Sequence, residues 1–161
     1  MSRLTVLGET VPPYAERKRK IESTPLPRNV GTLLDEAAQH YGSTKVVDFF
    51  EARQSLSYEE LCISVNRCAN GLRAQGIRKG SHVGVMLPNR IEFPIVWLAL
   101  ARLGAVMVPI NVAYTPRELD FVISTGHVTW LIADTAGLAT FNGTDTAKLQ
   151  VPNAHILTVD A

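Results

Sequence analysis

Cysteine is scarce: Cys62 and Cys68 are the two in a chain of 161 residues. That is too few for a disulfide framework. Six positions apart on a helix, they point about 120° away from each other. The expectation is two inert buried thiols in a reducing compartment, and hence a cytoplasmic protein. An excess of charge is also missing, with 16 Lys and Arg against 15 Asp and Glu and a net +1. That balance gives no support to nucleic acid, an acidic partner or a membrane surface as the main ligand. Long apolar runs are absent. Ile91–Leu103 is too short to span a bilayer and contains Arg102. The stretch from Met1 to Gly8 holds no adequate apolar segment for a secretory signal, so none is expected.

Several signatures of chemistry are missing too. The histidines His40, His82, His127 and His155 form no H-x-x-x-H spacing, and none neighbours a cysteine at ligand spacing. Each reads as a surface or strand-end residue. No G-x-S-x-G elbow supports a serine hydrolase. Neither G-x-G-x-x-G nor G-x-x-x-x-G-K-[ST] occurs, so a nicotinamide or P-loop enzyme has no local signature. The loop Phe141-Asn142-Gly143-Thr144-Asp145-Thr146-Ala147-Lys148 ends in Lys. It has one Gly and places an Asp where phosphate would be repelled, so it reads as a surface turn.

What is present is ordinary globular material, 46% hydrophobic and 19% charged. The length suits one domain with a real core. Residues 1–29 read as an arm: Pro12, Pro13, Pro25 and Pro27 are expected to break any helix, and Glu16-Arg17-Lys18-Arg19-Lys20 is a charge run. The run is read as a solvated extension, with an anionic docking site as the alternative.

The pattern predicts a helix over 32–41, capped by Thr32 and stopped by Gly42. Two short strands, 45–51 and 54–57, then flank a turn at Ala52-Arg53. Ser57 and Glu60 make a capping box for a helix that buries Leu61, Val65, Cys68, Ala69 and Leu72 and closes at Gly76. Val83–Leu87 is a strand. Asn89 and Glu92 form a cap-like pair for a helix to Leu103, ended by Gly104. Pro94 near its start removes one backbone donor. Val106–Ile110 is the next strand.

Thr115-Pro116-Arg117-Glu118 is the strongest helix start in the chain, with a Thr cap, Pro at the first position and Glu at the third. Leu119, Val122 and Ile123 form its inner face, and Gly126 stops it. Strands at 129–133 and 155–159 enclose a weaker region, with a short helix and loop. Strands that are apolar on both faces and alternate with helices imply parallel crossovers. The expected fold is α/β: a doubly wound, mostly parallel sheet preceded by a helix and a β-hairpin. Ligands in such sheets sit beyond the carboxyl ends of the strands. That rule selects Pro88-Asn89, Asn111 to Tyr114, and Asp134-Thr135. The competing reading makes Asn89 and Thr115 helix caps and Asn111 and Asp134 turn formers.

Three stretches also resemble a known family. Leu56-Ser57-Tyr58-Glu59-Glu60-Leu61 resembles the L-[TS]-Y-x-E-L signature of adenylate-forming enzymes. Leu103-Gly104-Ala105-Val106-Met107-Val108-Pro109-Ile110-Asn111 resembles their G-A-x-x-V-P-[LI]-[ND] signature. The stretch from Gly76 to Asn89 is similar to the link between them, with Ser81 where Asp is usual. The resemblance covers about residues 30–135 and is nearest to bacterial acyl-CoA ligases of the medium-chain or carnitine-CoA kind.

It implies the front part of an AMP-binding large domain over 30–161. It also implies a parent that is an acid–thiol ligase, using ATP, Mg²⁺ and CoA on a small carboxylate. In that family the phosphate loop ending in P-K-G, the ribose-binding Asp and the catalytic Lys come later in sequence. No catalytic, cofactor-binding or metal-binding residue is therefore assigned within this chain, and the fragment is expected to be inactive. The alternatives are a stand-alone non-catalytic binding or assembly module, or an adenylation domain of a peptide synthetase. If later sequence completes the packing, Leu33, Phe49 and Phe50 would be exposed and would favour self-association. Sedimentation checks this: a monodisperse monomer that unfolds cooperatively would count against it.

Overall fold

The computed structural model describes residues 5–6, 9–145, 149 and 151–160. The other residues of the Met1–Gly8 stretch, and Thr146, Ala147 and Lys148 of the loop singled out above, lie outside them. Strands β1 (Thr5–Val6) and β2 (Glu9–Thr10) pair antiparallel. Helix α1 (Tyr14–Ser23) follows, against the expectation that the prolines break any helix. The prolines bracket it instead. Pro12 and Pro13 precede it, where a missing N–H is harmless, and Pro25 and Pro27 follow it. None of its residues is buried.

Helix α2 (Val30–Tyr41) begins two residues before the predicted start, because the cap is Asn29 and not Thr32. Asn29 Oδ1 accepts from the Thr32 N–H at 2.9 Å, and Asn caps at least as well as Thr. Strands β3 (Lys45–Phe49) and β4 (Gln54–Ser57) form the hairpin, with Phe49 opposite Gln54. Helix α3 (Tyr58–Gln75) opens on the predicted capping box. Ser57 Oγ accepts from the Glu60 N–H at 3.2 Å, and Glu60 accepts from the Ser57 N–H at 2.8 Å.

Strand β5 (His82–Met86), helix α4 (Glu92–Leu103), strand β6 (Val106–Pro109), helix α5 (Pro116–Thr125), strand β7 (Trp130–Ala133), helix α6 (Thr135–Asn142) and strand β8 (Ile156–Thr158) complete the chain. The four strands are all parallel, in the order β6-β5-β7-β8. Helix α5 has the expected capping box between Thr115 and Glu118. The start of α4 differs from expectation. Ile91 holds the cap position without a side-chain bond, and Asn89 does not cap. Two causes are visible. Pro94 occupies the third helical position, so it has no N–H for a cap to bind. Glu92 is drawn to Arg90 by a charge-assisted bond of 2.7 Å.

The strand alternation of β5 sorts the core into two layers. Val83 and Val85 face a cluster with Leu61, Val65 and Leu72 of α3 and Val96 and Leu100 of α4. Met86 faces the other cluster, with Leu119 and Ile123 of α5 and Phe141 of α6. Helices thus cover both sheet faces, which is the doubly wound arrangement. Crossing from β6 over to β7 reverses the direction of winding, so a topological switch lies between β5 and β7. One polar clamp joins the outer helices. The Arg102 guanidinium donates to both oxygens of Asp35, at 2.7 and 3.1 Å, tying α4 to α2. Arg102 holds the Asp35 carboxyl below its usual value.

Candidate functional site

The switch point places two loops side by side at the carboxyl edge of the sheet, 87–91 after β5 and Asp134-Thr135 after β7. The chain's own charges fill the space between them. Arg90 donates to Glu92 at 2.7 Å and to Asp160 at 2.7 Å. Asp160 lies just beyond β8, and its other oxygen accepts from the Thr135 backbone N–H at 2.8 Å and from the Thr135 hydroxyl at 3.2 Å. Asp134 Oδ1 caps the same helix by accepting from the Gly137 N–H at 2.8 Å.

The N-terminus of α6 is a natural anion seat, since its N–H groups are unpaired and its dipole is positive there. Here two carboxylates of the chain occupy it. Their charges follow from the geometry. The Thr135 N–H, and then Arg90, hold the Asp160 carboxyl low. Arg90 does the same to Glu92. Both partners push the Arg90 guanidinium upward. Carboxylates stabilised in this way are poor proton acceptors at neutral pH. The network fixes three loops and supplies neither a general base nor a nucleophile.

Three of the loop residues selected from sequence, Asn111, Asp134 and Thr135, carry structural bonds. Asn111 Oδ1 accepts from the Ala113 N–H at 2.9 Å and shapes its turn. Thr115 and Asp134 cap helices. Pro88 and Asn89 reach the switch point, as does Thr135, while Asn111 to Tyr114 follow β6 on the far side of β5. Asn89 has a second setting. It lines a groove of about 610 Å³ with Phe93, Pro94 and Trp97 of α4 and the hairpin residues Val46 to Ala52. That size is in the range of small-molecule sites, and an aromatic lining suits a flat or apolar group. Phe50 is 80% exposed on its rim and Leu33 on α2 is 51% exposed, whereas Phe49 is half-buried, less open than expected.

Sequence reasoning did not single out Arg90 or the groove. Arg90 and Asp160 are seventy positions apart and share no local pattern. The one legible hint was an Arg beside a helix start that carries Glu92.

Three of the four histidines, His82, His127 and His155, lie at the opposite edge, while His40 is on α2. The His82 Nδ1–H donates to the Gly126 carbonyl at 2.6 Å, and the His155 Nδ1–H to the Thr129 carbonyl at 2.9 Å. His155 also stacks on Trp130 at 3.7 Å between ring centroids. These are structural roles at the strand starts. Among the described residues no group of three or more His, Cys, Asp or Glu is placed to hold a metal ion. No helix among them is long and apolar enough to cross a membrane. The cysteines are half-buried and free of disulfides. Burial raises both thiols, and for Cys62 the neighbouring Asp35 adds to the effect, so neither is an activated thiolate.

Comparison with known proteins adds the family. The model of the AMP-binding enzyme family matches residues 34–160. The chain is 40% identical over 95 residues to the crotonobetaine/carnitine–CoA ligase of Proteus mirabilis (strain HI4320), covering 57% of this chain and 18% of that protein. It is 32% identical over 96 residues to a mitochondrial medium-chain acyl-CoA ligase of Rattus norvegicus, covering 60% and 16%. The chain thus spans less than a fifth of the length of these two relatives. Its fold is similar to that of a long-chain-fatty-acid-CoA ligase from Archaeoglobus fulgidus, with a TM-score of 0.76 at 26% identity over 86% of this chain and 28% of that one. The family match runs from α2 through all four parallel strands, and on that ground this chain belongs to the AMP-binding enzymes.

Proposed function

We propose that this chain is the opening segment of an ATP-dependent acyl-CoA ligase, with residues 1–29 as an arm and 30–161 as the front of its AMP-binding domain. In the reaction, a carboxylate oxygen attacks the α-phosphate of ATP, pyrophosphate leaves and an acyl-adenylate forms. The thiolate of CoA then attacks the acyl carbon, and AMP leaves with the former carboxylate oxygen. Magnesium would offset the phosphate charge. Among the described residues no group of three or more His, Cys, Asp or Glu is placed to hold it.

The single observation that carries the reading is the family match over 34–160, with the three signature stretches in order inside it. The role of this segment is architectural. Its parallel strands and the Arg90–Asp160–Thr135 clamp present a rigid carboxyl edge on which the nucleotide site is completed. The family's catalytic groups come later in sequence and the carboxylates of the clamp are tied to Arg90 and Thr135, so the segment by itself is expected to be inactive. The substrate class is a carboxylic acid of the kind taken by acyl-CoA or carnitine-CoA ligases, by similarity to those relatives.

ATP–pyrophosphate exchange with a panel of short, medium-chain and betaine-type acids tests the reading. The 161-residue chain is expected to give only background exchange. Its full reading frame is expected to give acid-dependent exchange and, with CoA, a thioester. Exchange by the short chain alone would overturn the inactive-segment reading. A full-length protein inert toward every acid would overturn the ligase reading.

A further inference from the structure

Helix α1 is left over by the family function, because it lies before the matched residues 34–160. It is also unlike the rest of the chain in charge. Between Tyr14 and Arg28 five cations (Arg17, Lys18, Arg19, Lys20 and Arg28) face two acids, Glu16 and Glu22, for a net +3. The whole chain carries +1, so the remaining residues sum to −2. The near-neutral total therefore hides a basic end.

The apolar side chains of this segment have no cover. Tyr14 is 72% exposed, Ile21 is 70% exposed, and Leu26, just beyond the helix, is 88% exposed. No residue of α1 is buried. Tyr14 and Ile21 are seven positions apart and share one face. Arg17 and Lys18, three and four positions after Tyr14, flank that face on either side. The only ion pair on the helix among the described residues joins Lys18 to Glu22, at a loose 3.7 Å with both side chains exposed.

A ten-residue helix with so little support is marginal in water and gains most from a surface that binds its apolar stripe. A narrow apolar stripe with an aromatic ring, bordered by long cationic side chains, suits the plane of a bilayer. The stripe enters the headgroup boundary, and the Arg and Lys stems lie along it with their charges at the phosphates.

We propose that α1 is a peripheral membrane contact: it binds an anionic lipid surface through Tyr14, Ile21 and Leu26 together with Arg17 and Lys18 beside them, while Arg19 and Lys20, farther round the helix, add longer-range attraction. Charge complementarity selects the lipid. Each Lys or Arg near an anionic leaflet contributes roughly a five-fold gain in partition, and salt screens it. Neutral lipid would have only a few apolar groups to hold it. The proposal does not rest on the ligase reading. Protein bound in this way would hold its carboxyl-edge site near a membrane, where amphipathic acids collect.

Vesicle co-sedimentation of the 161-residue chain tests the proposal, using phosphatidylcholine vesicles with and without phosphatidylserine at low salt. The expected result is binding to the anionic vesicles alone, lost at high salt. The combined substitution Arg17→Gln, Lys18→Gln, Arg19→Gln and Lys20→Gln keeps helix propensity. It should weaken partition by at least about 25-fold, five-fold for each of the two cations beside the stripe. Ile21→Ser keeps every charge and should weaken it by about 10-fold. Both substitutions fall on exposed positions, so the fold is retained and circular dichroism checks it. Equal binding to neutral vesicles overturns the proposal, as does full binding by the Gln variant. If Ile21→Ser binds as tightly as the parent, the contact is a general polyanion site and the membrane proposal fails.

Discussion

Leu100→Ala is expected to lower the free energy of unfolding by about 2–5 kcal/mol. Leu100 is wholly buried on α4, in the cluster that joins α3, α4 and the central strands. Truncation removes its transfer free energy and leaves a cavity between helices that cannot fully close. Phe121→Ala is the natural control. Phe121 is larger but 69% exposed on α5, so its loss should change stability by about 0.5 kcal/mol or less. Urea unfolding of both variants, with the slope unchanged, separates them. If the two midpoints move equally, Leu100 is not at the centre of the core.

Gly84→Val should also destabilise, by about 1–3 kcal/mol. The sign is the informative part. Val is a far better strand former than Gly, so local propensity alone predicts stabilisation. Gly84 lies in the middle of β5 with partners on both sides. A Cβ there would sit 2.8 Å from Ile110 Cδ1 and 3.1 Å from Val128 Cγ1. The glycine lets the α5 side of the core close onto the central strand. Gly84→Ala should cost less, because the nearest atom is the tip of a side chain that can turn away. A Val variant with a raised urea midpoint would show that this layer has room the structure does not show.

Local chemistry made much of the fold legible. Ser57 with Glu60, and Thr115 with Pro116 and Glu118, state their helix starts within four residues, and the structure has both capping boxes. Apolar strands separated by helices were enough for a parallel sheet. The misreadings are instructive because they are also local. Prolines at 12, 13, 25 and 27 argue against a helix one by one, yet their spacing leaves one room for ten residues. Asn89 matched a cap pattern that Pro94 and the Arg90–Glu92 pair override.

The carboxyl edge was found by rule, yet its content was not. Two of the selected residues, Asn111 and Asp134, are occupied in a turn and a cap, and Thr135 is bound to Asp160. The group that organises the edge is Arg90, bound to a carboxylate at the far end of the chain. The groove beside Asn89 likewise draws on β3, β4 and α4, whose facing side chains have no fixed spacing in sequence.

By itself the sequence determined the element order from α2 onward, several helix ends and the family signatures. Each depends on contacts within a few residues or on a short run of side chains in fixed order. Tertiary structure alone decided the strand order, the two-layered core, the clamp at Arg90 and the pairing of Arg102 with Asp35. Those depend on which distant segments meet. That choice is set by burial summed over the whole sheet, and no single stretch of chain records it.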